Sequence, residues 1–356
     1  MKKCHIAYLA CTAALVGTAL GAAPPVHHRT LHVVHPGESV QKAVDTARPG
    51  DTVLLTPGTY RESVSLTTSG VTLRGTGPRT VLRPAPVTTT KKAANSCAAA
   101  GHGICVTGTK ARKVARVTVA GLTVSGFTKH GVYAVDTDRL TVRRVTAEKN
   151  GVWGIATEAS TRGVYRDNTA RDNGDAGLFL ANTVTAEQGA TDTGGTVVAR
   201  NRLEGNRIGV TVRRLRNLSV SRNHFTGNCA GVFVVGDENK PKAGLVTVRG
   251  NRIVNNNKSC PKTARLDALQ GSGIVLTGAE DSLVTRNVIT GNAGASPLSG
   301  GIVLFKSIVG AASERNRISD NVLRDNAPAD LVNADTGQGN TFERNDCRAS
   351  RPTGLC

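Results

Sequence analysis

The chain has 356 residues, only 3% of them aromatic, 40 Gly and a formal net charge of +19. That length is too great for a typical single compact domain, whereas a solenoid grows along one axis and needs only one elongated domain. The basic excess points to an anionic partner, and no recognised nucleic-acid module accompanies it.

Residues 1–22 read as an export signal. Lys2 and Lys3 precede an apolar run over residues 6–20, and Ala19, Gly21, Ala22 and Ala23 supply small residues at a cleavage site. The apolar stretch before Cys11 is too short for a lipoprotein signal and continues beyond it. Nothing later is apolar for long enough to span a membrane. Loss of Lys2 and Lys3 with the signal lowers the net charge from +19 to +17.

Residues 23–83 read as a cap and the first coils. Val40, Ala43, Val44 and Ala47 share one face of a helix over 38–47, which Pro49-Gly50 stops and which is expected to cover the open end of the solenoid. Short strands follow at 51–55, 63–66 and 70–73, separated by turn signals. The run His35-Pro-Gly-Glu-Ser-Val-Gln-Lys-Ala-Val44, then Pro49-Gly-Asp-Thr-Val53 and Pro57-Gly-Thr-Tyr-Arg61, resembles the entrance of secreted right-handed parallel β-helix proteins of the pectate-lyase-like superfamily, actinobacterial type. The resemblance covers the mature chain. It implies an all-β fold, a single right-handed parallel β-helix solenoid with an N-terminal capping helix, and it implies export. It does not fix an activity, because that fold hosts lyases, hydrolases, epimerases and binding proteins.

Residues 84–346 read as coils with loop insertions. Asn recurs in pairs five apart, at 168/173, 201/206, 223/228, 251/256, 287/292, 321/326 and 340/345. An apolar or small residue stands two positions after each first Asn: Ala170, Leu203, Phe225, Ile253, Ile289, Leu323 and Phe342. A Gly usually opens the next alternating run, as in Gly177-Leu-Phe-Leu180 and Gly231-Val-Phe-Val234. The unit reads as strand, turn, strand, turn. Its shortest intervals close one coil that cannot bury an apolar face alone. Asn suits such corners because it tolerates left-handed backbone and its amide both donates and accepts, so Asn168, Asn201, Asn223, Asn251, Asn287 and Asn321 are expected to form a bonded ladder. Six Cys remain in the mature chain, and the sequential pairing Cys97/Cys105, Cys229/Cys260 and Cys347/Cys356 is favoured, the last closing a tail at 347–356. No CxxC pair or His cluster supports a metal site.

Catalytic motifs of the superfamily are mostly missing. Gly101-His102-Gly103 matches one element of polygalacturonases without the double Asp or the Arg-Ile-Lys, and reads as coincidence. The Asp-Pro-His of mannuronan epimerases is absent, and one Met with scattered His gives no copper site like that of the accessory β-helix protein of nitrous oxide reductase. Geometry remains. Strand alternation from each Gly points Tyr133, Phe179 and Phe233 outward, with Glu158 and Arg213 in the next outward column. That stripe is either a sugar platform or the floor under a loop. The corner before each Gly carries Lys129 and His130, then Trp153, Asp175 and Arg207, on coils about 4.8 Å apart.

These residues suggest a secreted, extracellular or wall-associated protein, monomeric, that engages an acidic polysaccharide or anionic cell-wall polymer. In a polyuronate lyase, Lys129 or His130 takes the proton, Tyr133 serves as acid, Arg207 and Arg213 hold a carboxylate, and Trp153, Glu158, Asp175, Phe179 and Phe233 contact the chain. The alternatives are a non-catalytic glycan-binding protein using an Arg stripe that includes Arg200, Arg222, Arg249, Arg252 and Arg286, and a hydrolase using Asp136 and Asp138. No cofactor is identified, and Ca2+ assistance has no support in the sequence.

Overall fold

The computed structural model describes residues 29–86, 93–264 and 266–356, so the expected export signal lies outside them. Short parallel strands stack into three long sheets, of 13, 10 and 11 strands. One coil shows the path: Val132–Val135 lies in the third sheet, Thr141–Arg143 in the first, Thr146–Glu148 in the second, and Ile155–Glu158 returns to the third. Tyr133 then pairs with Ala156 in register. Each coil therefore has three strands rather than the two read from the sequence. The extra one is the three-residue segment inside each Asn pair, too short to show alternation, which turns Ala170, Leu203, Phe225 and Ile253 into the core.

The helix α1, Val40–Thr46, buries Val40 and Val44 against the first coils. Ser39 caps it, and the Glu62 carboxylate accepts from the backbone N–H of Val40 at 2.7 Å and Gln41 at 3.1 Å, placing negative charge on a helix N-terminus. A second short helix, α2, Ser96–Ala99, leads into the Cys97–Cys105 disulfide. The other disulfides join Cys229 to Cys260 and Cys347 to Cys356.

Two Asn columns run along the solenoid. At the corner between first and second sheets stand Asn168, Asn201, Asn223, Asn251, Asn287, Asn321 and Asn345, each but the last donating its side-chain N–H to the next Oδ1 at 2.9 to 3.0 Å. Between second and third sheets stand Asn150, Asn173, Asn206, Asn228, Asn256, Asn292 and Asn326, and this column ends on Asp330. Every interior Oδ1 also accepts the backbone N–H of the preceding Asn, and the second amide hydrogen goes to a backbone carbonyl, as Asn223 does to Val198 at 3.0 Å. A buried polar column is stable because each amide is satisfied on all sides.

The left-handed residue is not the Asn but the one before it: Asp167, Arg200, Arg222, Gly250, Arg286, Asp320 and Arg344, with Arg144 in the same place before Val145 on the preceding coil. Asn340 also departs from the expected pairing. It bonds Asn316 at a third corner, between third and first sheets, so its five-residue spacing from Asn345 has a different origin and Phe342 lies in the first sheet. The Gly after the second column is required by close approach. A Cβ on Gly154 would stand 2.6 Å from the Gly177 carbonyl and 2.9 Å from the Asn173 side-chain nitrogen.

Candidate functional site

The outer face of the third sheet is roofed over most of its length. Ala156, Phe179, Phe233, Val275 and Val303 point outward, yet they form a second apolar layer with Leu269, Leu298 and the Cys229–Cys260 disulfide from the segments 257–271 and 293–300. Phe179 is 7% and Phe233 5% exposed, so that part of the aromatic stripe is a floor under loops rather than an open platform.

Arg207 is part of this roof. It is 8% exposed, and its guanidinium donates to the Pro261 carbonyl at 2.7 Å and the Asp267 carbonyl at 3.3 Å. Arg213 lies against the carbonyls of Thr183 and Val184, in the segment that crosses the sheet from its other edge. Neither guanidinium stands free beside Lys129. Asp175 does not pair with Arg207 either; its Oδ2 accepts the Trp153 indole N–H at 2.9 Å, and burial raises its carboxyl above the ordinary value.

On the first coils of this face Tyr133, Trp153 and Glu158 are half-buried beside the exposed Lys129, while His102 and His130 are buried at 8% and 7%, and strand register brings these residues together. His102, His130 and Trp153 occupy one outward column immediately before the Gly positions, and their rings stack at 4.6 and 4.2 Å, with Phe179 against the far side of Trp153 at 3.9 Å. Both faces of the indole are therefore covered, and Trp153 cannot stack on a sugar ring. Tyr133 leans on both imidazoles, at 4.6 and 5.1 Å, and donates its hydroxyl to Glu158 at 2.5 Å; the other Glu158 oxygen accepts the Val184 N–H at 2.9 Å. Lys129 is exposed on the adjoining turn, and its ammonium has no ion-pair partner among the described residues.

Burial, then the neighbouring positive charges, decides the protonation of this cluster. His102 is lowered to about 4 by burial and Lys129, and His130 to about 3 by burial, His102 and Lys129, so both imidazoles are neutral near pH 7. His130 Nδ1 accepts the Trp153 backbone N–H at 3.3 Å, which leaves its proton on Nε2. His102 Nδ1 is buried without a hydrogen-bond partner among the described residues. Tyr133 is raised by burial and by its bond to Glu158, which keeps the phenol protonated. His102 was missed in the sequence because it was weighed only as part of a Gly-His-Gly motif; its one-coil offset from His130 is the signal that finds it.

Of the proposed hydrolytic pair, Asp138 is already bonded by Arg162. Asp136 sits on a left-handed turn. Burial pushes the Asp138 carboxyl up, but Arg162 at 2.6 and 2.7 Å and Thr161 at 3.1 Å outweigh it and hold the group below its ordinary value.

Residues 64–189 and 100–244 match the right-handed β-helix region family, together just over half of the chain. Residues 181–351 match a family described as periplasmic copper-binding protein (NosD). Within 181–351, His224 is the sole His, the Cys are disulfide-bonded and Met is absent, and no group of three metal-binding side chains occurs among the described residues; this span does not fit copper. No curated protein matches the chain in sequence. Among solved structures, the chain is similar to the A-module of mannuronan C-5 epimerase AlgE4 of Azotobacter vinelandii, 19% identical over 86% of this chain and 90% of that one, TM-score 0.56. It is also similar to the PL6 family alginate lyase AlyGC, 15% identical over 89% and 51%, TM-score 0.58, and to a double mutant of the periplasmic alginate epimerase AlgG, 12% identical over 84% and 70%, TM-score 0.57. At such identities the likeness is one of fold, and together with the three-sheet coil and the family match it leads to one assignment: the chain belongs to the right-handed β-helix family.

Proposed function

We propose that the protein is exported and binds an acidic polysaccharide on the first coils of the third sheet, around Lys129. The observation that carries this reading is the exposed Lys129 beside the half-buried Tyr133 and Glu158, with two neutral imidazoles packed against Tyr133. Lys129 pairs with a uronate carboxylate, and the polar edges of His102 and His130 bond sugar hydroxyls. The likeness to proteins named as alginate epimerases and lyases supports a polyuronate as the polymer. Calorimetric titration with polyuronate tests the reading: Lys129→Ala lowers affinity by about tenfold, one charge-assisted contact. Equal affinity in the variant and the wild type would sink it.

The 2.5 Å bond between Tyr133 and Glu158 favours a second reading on the same surface, β-elimination. With Lys129 neutralising the carboxylate, the proton on the adjacent carbon passes to the Tyr133 oxygen as the phenolic proton moves to Glu158. The electron pair forms the new double bond, and the glycosidic oxygen departs with a proton from solvent. His130, lowered to about 3, is too weak a base for that step. Unsaturated-uronate absorbance that appears with the wild type and disappears in Tyr133→Phe, with binding retained, is the expected signature.

A further inference from the structure

A different corner of the coil carries a second feature. The corner between first and second sheets lies opposite the third sheet, and its left-handed column reads Arg200, Arg222, Gly250, Arg286 and Asp320 on successive coils. Gly250 leaves a notch in this column. A Cβ there would meet only Arg222 Cγ, at 4.0 Å. Arg222 and Arg286 flank the notch one coil before and one coil after it, about 4.8 Å away each. Arg249 and Arg252 flank it along its own coil, Arg249 between Ser221 and Thr285 in the first sheet and Arg252 between His224 and Val288 in the second.

All four Arg are exposed, and none makes an ion pair among the described residues. The nearby Arg and Asp of the same corner differ. Arg200 and Arg166 are held by Asp167 at 2.7 and 2.8 Å, Arg202 by Glu204 at 2.8 Å, and Asp320, next to Arg286, by Arg344 at 2.7 Å. The basic stripe is thus ion-paired on the coils before and after this group, whereas around Gly250, as at Arg143 and Arg144 nearer the first coils, no ion pair is made among the described residues.

We propose that the Gly250 notch is a binding site for a phosphate group, free or carried on a polymer. Four guanidinium groups, with the neighbouring carboxylate Asp320 also bonded by Arg344, exceed what one carboxylate balances. A phosphate brings up to two charges and three acceptor oxygens, and guanidinium binds it in bidentate fashion. The site is independent of the polysaccharide reading, because it stands on the opposite side of the coil and uses none of the same residues.

The fold itself supplies the test. Asp167 and Asp320 occupy the same left-handed position on other coils, so Gly250→Asp is compatible with the backbone and sets a carboxylate among the four Arg. Inorganic phosphate and a linear polyphosphate are titrated by calorimetry into the wild type, Gly250→Asp, Arg222→Ala/Arg286→Ala and Lys129→Ala at constant ionic strength. The expected result is a loss of about tenfold or more for both notch variants and none for Lys129→Ala. Binding of both probes identifies the site as open to free phosphate; binding of polyphosphate alone, lost in the notch variants, identifies a polymer-borne phosphate. Affinities unchanged in both notch variants, or a wild type that takes polyuronate at the notch and neither phosphate probe, would overturn the proposal. Should Gly250→Asp fail to fold, the double Arg variant reads the same site.

Discussion

Replacing Asn223 by Leu interrupts the first Asn column at its middle, and the structure sets the size of the effect. Asn223 Oδ1 accepts the backbone N–H and the side-chain N–H of Asn201, both at 2.9 Å, and Asn223 Nδ2 donates to Val198 O and Asn251 Oδ1, both at 3.0 Å. Leu removes all four bonds. The Asn251 oxygen keeps the backbone N–H of residue 223, at 2.9 Å, and Asn201 keeps its bond to Tyr165 O at 2.9 Å. One backbone N–H is left wholly unpaired in a buried corner, together with one amide N–H, so the cost is about 2 to 4 kcal/mol. Asn345→Leu, at the end of the same column, removes bonds only toward Asn321 and Ile318 and is expected to cost less. Urea denaturation of both variants measures the difference, and amide exchange at Asn201 locates it, because a solenoid opens coil by coil as well as globally. A variant at position 223 within about 0.5 kcal/mol of the wild type, the usual range for an inconsequential surface change, with Asn201 exchange unaltered, would refute the ladder argument.

His102 and His130 give the protein an acid sensitivity of defined sign. Their values in the fold, about 4 and about 3, lie below the ordinary 6.5, so the unfolded chain binds more protons between roughly pH 6.5 and 3, and stability falls as pH drops through that window. Melting temperatures at pH 7 and 4.5 should converge in His102→Phe/His130→Phe relative to the wild type; an identical pH dependence in both would contradict the assigned burial. Arg207→Ala should loosen the roof rather than the Lys129 site, giving faster tryptic cleavage at Lys262 with polyuronate affinity unchanged. Loss of affinity without faster cleavage would return Arg207 to the site.

The regular part of this fold was readable because the sequence repeats what the structure repeats. Asn and Gly recur since one residue type alone satisfies each corner: the amide that both donates and accepts, and the Gly whose Cβ would strike the next coil. The short helix at Val40–Thr46 and the Cys partners were likewise local properties. What escaped was set by residues far away in sequence. Alternation correctly turned Phe179 and Phe233 outward, but it could not show that segment 257–271 folds back over them, nor that Arg207 holds that segment. Lys129, His130, Tyr133 and Glu158 do meet, because they lie on two adjacent coils in register, whereas Arg207 and Arg213 lie on a coil the roof already covers. The left-handed residue was misplaced by one position because Asn favours that conformation and Arg does not; here the ladder bonds, not intrinsic preference, decide the turn.

The Asn columns also have an electrical direction. In every interior member Oδ1 faces the preceding coil and Nδ2 the following one, so the amide dipoles add head to tail along the axis, positive toward the last coil. The first column ends on an amide, Asn345, whose N–H turns back to the Ile318 carbonyl at 2.9 Å, but at the end of the second column the chain presents the backbone N–H groups of Arg348 and Ala349, which an amide N–H could not satisfy. That position belongs to Asp330, whose Oδ1 takes the Asn326 amide at 2.8 Å and whose Oδ2 takes the Arg348 backbone N–H at 2.9 Å. A carboxylate accepts and cannot donate, so it settles the positive end of the dipole chain, as an acid does at a helix N-terminus, and forbids a further rung. Asp330 therefore ends the column, and an Asn in its place, keeping its oxygen on Asn326, would set its own N–H against the backbone N–H groups of Arg348 and Ala349.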